Sequence, residues 1–238
     1  MGAALGWGVV AASSLVLGML LGLARSWPIR LIGLVLAFGA GALVSAVSFE
    51  LFEEGLAVGG AAAVGIGLGL GALVYFVLAR VVERLGSGRT DEASAGGSAL
   101  ALGAFLDGIP EQLVLGIGIA AGAGVSVGLL VAIFVSNLPE AIGSATDMRE
   151  AGTSPRAIRL LWFGVAALCA LATPLGYLLA EGAGGHFKAG INGFAAGALL
   201  VMLVDSMIPE STAKSGRVAG LATTLGFAVA AGLSSATA

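Results

Sequence analysis

The chemistry of this chain is concentrated in a few carboxylates placed where carboxylates are expensive. Asp107 and Glu111 lie in one long apolar run, Glu140 in the next and Asp205 in a later one, and no Lys or Arg lies within those runs to pair with them. An acid at the centre of a bilayer-spanning helix costs about 2.5–3.5 kcal/mol. Asp107, Glu111 and Glu140 together therefore cost on the order of 8–10 kcal/mol unless protons, a bound cation or a water-filled cavity offset it. Asp107 and Glu111 are four residues apart and share one helical face. Ser136 and Glu140 repeat that spacing, with the amide of Asn137 beside them. Two antiparallel helices joined by a tight turn at Ala121-Gly122-Ala123-Gly124 would bring these pairs face to face as a cluster of oxygen ligands near the midplane.

Half of the six prolines precede a glutamate, in Ile109-Pro110-Glu111, Leu138-Pro139-Glu140 and Ile208-Pro209-Glu210. Proline inside a helix removes an i→i−4 hydrogen bond and kinks the chain. Pro110 is expected to free the carbonyl of Leu106, and Pro139 that of Val135. Freed carbonyls at membrane depth can line a cavity and coordinate cations. Pro209-Glu210 reads differently, as the start of a cytoplasmic loop.

The elements that must carry these groups follow from composition. The chain has 238 residues, 58% hydrophobic and 11% charged, with a mean hydropathy of +1.04. Soluble domains carry about 25% charged residues, so a soluble enzyme and a disordered chain are excluded. A net charge of −3 with no basic patch excludes a nucleic-acid partner. The single cysteine, Cys169, excludes a disulfide framework or a cysteine-based metal motif, and reads as a small core residue. Uniformly apolar runs exclude a β-barrel, whose strands alternate over about ten residues.

Eight such runs lie near 3–24, 29–52, 56–79, 98–121, 124–146, 157–180, 189–210 and 216–236. The first is too long for a leader's apolar region and lacks a basic start, so it reads as a span. Breaks are expected at Arg25-Ser26-Trp27-Pro28, Glu53-Glu54-Gly55, Glu83 to Ser98, Ala121 to Gly124, Asp147 to Arg159, Glu181 to Lys188 and Ser211 to Arg217. Forty glycines suit closely packed membrane helices. With eight crossings, ten of the eleven basic residues fall on one side and Lys188 alone on the other. The positive-inside bias then places both termini outside the cytoplasm.

An internal repeat is visible. Phe38-Gly39-Ala40-Gly41-Ala42-Leu43 resembles Phe194-Ala195-Ala196-Gly197-Ala198-Leu199, and the same offset of 156 residues places Glu54 on Glu210. The two runs would cross in opposite directions, the mark of inverted repeats in secondary transporters.

With these motifs in place, the chain resembles the ZIP (Zrt/Irt-like protein) family of divalent-metal transporters. The matching segments are Asp107-Gly108-Ile109-Pro110-Glu111-Gln112 and Ser136-Asn137-Leu138-Pro139-Glu140-Ala141, with Gly197-Ala198-Leu199 through Asp205 to Pro209-Glu210 in the seventh run. The resemblance implies an all-α integral membrane protein of eight transmembrane helices. Spans 1–3 and 6–8 would form an inverted repeat around kinked central spans 4 and 5. It also implies a homodimer in the cell membrane, working by alternating access. The chain departs from the family pattern at Asp107, where His is usual, and at Gly108 in place of Asn. It departs again at Ser136, in place of His or Gln, and at Thr173, where relatives often carry Glu before Pro-Leu-Gly. The family's His-rich cytoplasmic loop is absent. The sole histidine, His186, falls in an outer loop.

The reading is a single transmembrane transporter domain over 1–238. It carries a divalent metal into the cytoplasm, with Asp107, Glu111, Ser136, Asn137 and Glu140 as ligands. The ion, zinc or else manganese, iron or cadmium, is substrate, and no prosthetic group is expected. No ATP-binding motif occurs, so movement follows a gradient or a coupled ion. The alternatives are a proton- or cation-coupled carrier of another small substrate, with the same acids as relay, and an intramembrane enzyme. With one histidine, neither a Ser/His pair within the membrane nor a His-Glu-x-x-His motif exists.

Overall fold

The computed structural model describes residues 1–87, 92–120 and 125–237, and those residues form an all-helical bundle. Its elements are α1 (Gly2–Ala24), α2 (Ile29–Ala46), a π-helical segment (Val47–Glu53), α3 (Glu54–Gly59), α4 (Ala61–Ser87), α5 (Glu92–Ala120), α6 (Val127–Glu150), α7 (Pro155–Ala180), α8 (Gly185–Met202), a second π-helical segment (Leu203–Met207), α9 (Ile208–Ser215), a 3₁₀ turn (Gly216–Val218) and α10 (Ala219–Thr237). Six helical stretches among the described residues are long and apolar enough to cross a bilayer, which makes the chain a multi-pass membrane protein. The last of them, Gly185–Ala236, holds the seventh and eighth expected runs within 52 residues. The fourth run lies on α5, which is not among the six.

Several expected breaks are helical instead. The chain passes through Glu53-Glu54-Gly55 without a turn and breaks at Gly60, whose φ is +82°. Gly55 is there for packing: a Cβ on it would stand 2.9 Å from Val64 and 3.3 Å from Asn192. Most of the expected loop from Glu83 to Ser98 belongs to α4 and α5, because Glu and Arg are good helix formers where a helix leaves the apolar layer. The loop between α6 and α7 shrinks to 151–154, and the turn at 121–124 lies outside the described residues. The central helices also differ from expectation. α5 and α6 remain α-helical past Pro110 and Pro139, and the departures from α geometry fall in the two π-helical segments.

Helix ends are locally encoded. The Ser126 hydroxyl accepts the Leu129 N–H at 3.1 Å to start α6. Ser154 does the same for Ala157 at 3.3 Å, with Pro155 opening α7. The guanidinium of Arg149, at the end of α6, donates to the Gly22 and Leu23 carbonyls at 3.0 and 3.2 Å and so satisfies the C-terminus of α1.

Glycine sets the helix pairing, because without a Cβ two backbones can touch. A Cβ on Gly18 would stand 2.5 Å from the Leu138 carbonyl, and one on Gly22 2.6 Å from that of Ile142. Four residues along α1 thus match four along α6, so these helices run parallel. Gly67 and Gly71 of α4 meet the carbonyls of Gly190 and Phe194 in the same way, so α4 and α8 are parallel too. Gly41 faces Thr223, and Gly226 faces Phe38, across the α2–α10 seam. Leu36, Leu43, Leu115, Ile133, Leu199 and Met202 fill the main core. A second core, with Leu15, Met19, Ile158 and Trp162, lies under α1 and α7. Ile66, Leu160 and Leu221 are exposed, as suits side chains that face lipid.

Candidate metal centre

α5 and α6 bring Glu111, Ser136 and Asn137 together. Glu111 is 1% exposed. Its Oε1 accepts from Ser136 Oγ at 3.0 Å, and its Oε2 accepts from Asn137 Nδ2 at 2.8 Å. The Ser136 hydroxyl stands equally close, 3.0 Å, to the Ile133 carbonyl, so its one proton can serve either acceptor. Glu140 follows Ser136 by one helical turn, is half-buried, and lies within electrostatic reach of Asp107, Glu111 and Glu210.

Asp107 is also buried but turns to other partners. The Tyr75 hydroxyl, on α4, donates to its Oδ1, and the Ser206 hydroxyl, in the second π-helical segment, lies 3.5 Å from its Oδ2. Asp205, next to Ser206, is exposed. Among the described residues, no three His, Cys, Asp or Glu side chains converge closely enough to hold a metal ion as they stand. Asp107 and Glu111 instead hold hydrogen-bond donors, which help satisfy their lone pairs.

Sequence reasoning missed Tyr75 and Ser206. The signal for Tyr75 was its type, one of only two tyrosines in the chain and set in an otherwise apolar helix. Nothing local marked Ser206, because the π-helical segment decides where it points.

Gly108 and Thr173, two of the departures from the ZIP pattern, both lie on the α5–α7 seam. A Cβ on Gly108 would stand 2.7 Å from the Cys169 thiol, and Thr173 Oγ1 donates to Gln112 Oε1 at 2.5 Å. This part of the α5–α7 seam is neutral. His186 sits at the start of α8, its Nδ1 2.8 Å from the Gly59 carbonyl. An apolar cavity of about 600 Å³ lies between α4, α5 and α8, walled by Ile66, Leu70, Val74, Leu113, Phe187 and Phe194. Its polar lining residues are Tyr75 and His186, and no Asp, Glu, Lys or Arg is among the described residues that wall it.

The chain matches no protein-family model. It is similar to a protein of Arabidopsis thaliana named "Putative zinc transporter", with 29% identity over 199 residues. That alignment covers 80% of this chain and 32% of the plant protein, so the chain spans about a third of its relative's length.

Proposed function

We propose that this protein is a ZIP-family secondary transporter, not an enzyme, that carries divalent metal ions into the cytoplasm. The observation that carries the reading is the buried Glu111 carboxylate, bracketed by Ser136 and Asn137 from the neighbouring Pro-Glu helix. Zinc is the first substrate to test, given the name of the Arabidopsis relative. Asp107, Glu111, Ser136, Asn137 and Glu140 are its ligands. They are gathered when the ion displaces the hydroxyl and amide donors that hold the acids in its absence.

The transporter architecture has eight crossings with both termini outside and forms one domain that pairs as a homodimer. Element bounds support the inverted repeat. α1, α2 and the first π-helical segment end or begin 156 residues before the matching points of α7, α8 and the second one. Gly60 and Gly216 keep the same offset, and both have positive φ, +82° and +66°. The parallel pairs α1–α6 and α4–α8 agree with loops that alternate between two sides. Glu50 and Ser206 occupy equivalent places in the two π-helical segments. Glu50 accepts from Ser126 and Ser234 at 2.7 Å, much as Ser206 reaches Asp107. One repeat rocking against the other would break and remake such contacts, which is what alternating access requires.

The test is uptake of Zn²⁺ into proteoliposomes by the parent and by Glu111→Gln and Glu140→Gln. Both variants are expected to lose uptake while keeping the parent's elution profile, because each removes a charged ligand whose burial is itself unfavourable. Undiminished uptake in both would return Pro-Glu to a purely structural role.

A further inference from the structure

Glu140 opens a stripe that leads away from the centre. Gly143 and Asp147 follow it at spacings of three and four, so all three share one face of α6 that ends at Glu150. Lys214 of α9 lies across this stripe. Its Nζ would be 3.3 Å from a Cβ on Gly143, and its own Cβ 2.6 Å from one on Gly33 of α2. Two positions without side chains thus leave the slot through which the lysine reaches α6. Its Nζ is 2.5 Å from Glu210 Oε1, one turn earlier on α9, and its side chain is 19% exposed. Glu140 and Asp147 both lie within its electrostatic reach. The charged groups facing it are therefore Glu140 and Asp147 from α6 and Glu210 from α9, with Glu150 beyond Asp147.

We propose that the Lys214 ammonium is a tethered cation that occupies the cytoplasmic end of this acidic stripe, so that a divalent ion passing Glu140 is released there and not retained. The inference rests on the transport reading for its direction. Three carboxylates around an empty slot would form a trap for a divalent ion. A tethered ammonium offsets one of the three charges at all times, and an ion arriving from Glu140 meets repulsion and weakened ligands. Gln in place of Lys keeps much of the length and loses the charge. Arg keeps the charge.

Zn²⁺ binding to the purified full chain in detergent, by equilibrium dialysis, tests this independently of transport. Lys214→Gln is expected to bind Zn²⁺ about tenfold more tightly than the parent at low salt, a change of about 1.4 kcal/mol, with slower turnover in proteoliposomes. Lys214→Arg is expected to match the parent. Adding Asp147→Asn to Lys214→Gln is expected to return affinity to the parent value. Lys214→Met serves as the charge-free variant if the glutamine variant is not monodisperse. Equal or weaker Zn²⁺ binding by the charge-free variants overturns the proposal, whatever their uptake. Absence of Zn²⁺ uptake by the parent overturns the transport reading instead, and leaves the binding comparison to decide on Lys214.

Discussion

Thr173 and Gln112 meet across the α5–α7 seam as a fully buried, uncharged pair, the threonine hydroxyl donating to the glutamine carbonyl at 2.5 Å. Gly108, one turn before Gln112, is covered by the Cys169 thiol. Both places where the ZIP resemblance leads one to expect further ligands are thus filled by groups that need no cation. The carboxylates among the proposed ligands are Asp107, Glu111 and Glu140. In the carrier proposed above, that leaves one candidate ion position.

Thr173→Glu tests that seam. A carboxylate there enters a fully buried position whose neighbours among the described residues include Gln112 and Gly8. An uncompensated buried charge costs about 3–5 kcal/mol. The variant is expected to melt well below the parent in metal-free buffer, and to recover part of the loss in Zn²⁺ if the new carboxylate completes a second ion position. Identical melting of variant and parent without metal would mean that water or a base already reaches residue 173.

Glycine contacts give a paired stability prediction. A Cβ on Gly71 would lie 1.9 Å from the Phe194 carbonyl, whereas one on Gly65 of the same helix would meet nothing within 4 Å. Gly71→Ala has to push α8 away, an overpacking cost of about 1–3 kcal/mol, while Gly65→Ala is expected to be neutral or slightly stabilising. Thermal unfolding in detergent separates them. Equal effects would break the parallel α4–α8 packing.

Much of this organisation was legible in the residues. The apolar runs located the helices because membrane helices satisfy their own backbone. The Pro-Glu pairs singled out the helices whose side chains meet at Glu111. Two features were not legible. Glu53-Glu54-Gly55 reads as a break because two charges and a glycine end most apolar runs, yet the glycine serves a close contact and the turn waits for Gly60. The partners of Asp107 were also hidden. Tyr75 and Ser206 come from helices 32 and 99 residues away, and no spacing rule within one helix relates them.

The proposed eight-crossing topology predicts opposite sidedness for two loops. Ser87 ends α4, and Glu181 follows α7. With loops alternating, cysteines placed at these positions in a Cys169→Ala background are expected to react with an impermeant thiol reagent from opposite faces of sealed vesicles. The background should fold normally, since alanine only shortens a buried thiol. Labelling of both from one face would remove a crossing between them and with it the inverted repeat.

Selectivity turns on Asp107. The proposed ligand set holds three carboxylates, a hydroxyl and an amide, without imidazole or thiolate. Oxygen ligands suit harder ions, and nitrogen and sulfur tilt a site towards Zn²⁺, although the general divalent order still places Zn²⁺ above Mn²⁺. The site is therefore expected to be broad, and Asp107→His is expected to shift the Zn²⁺ to Mn²⁺ uptake ratio upward by restoring a nitrogen ligand. Tyr75 supplies the control, because its hydroxyl holds one oxygen of Asp107. Tyr75→Phe frees that oxygen without touching the ligand itself. It is expected to strengthen binding of both ions while leaving their ratio near the parent's. Competition uptake in the parent and the two variants reads both effects. A ratio that stays flat or falls in Asp107→His would show that residue 107 does not touch the ion. Asp107 would then act through Tyr75 and Ser206, as a brace between α5 and the helices that move against it.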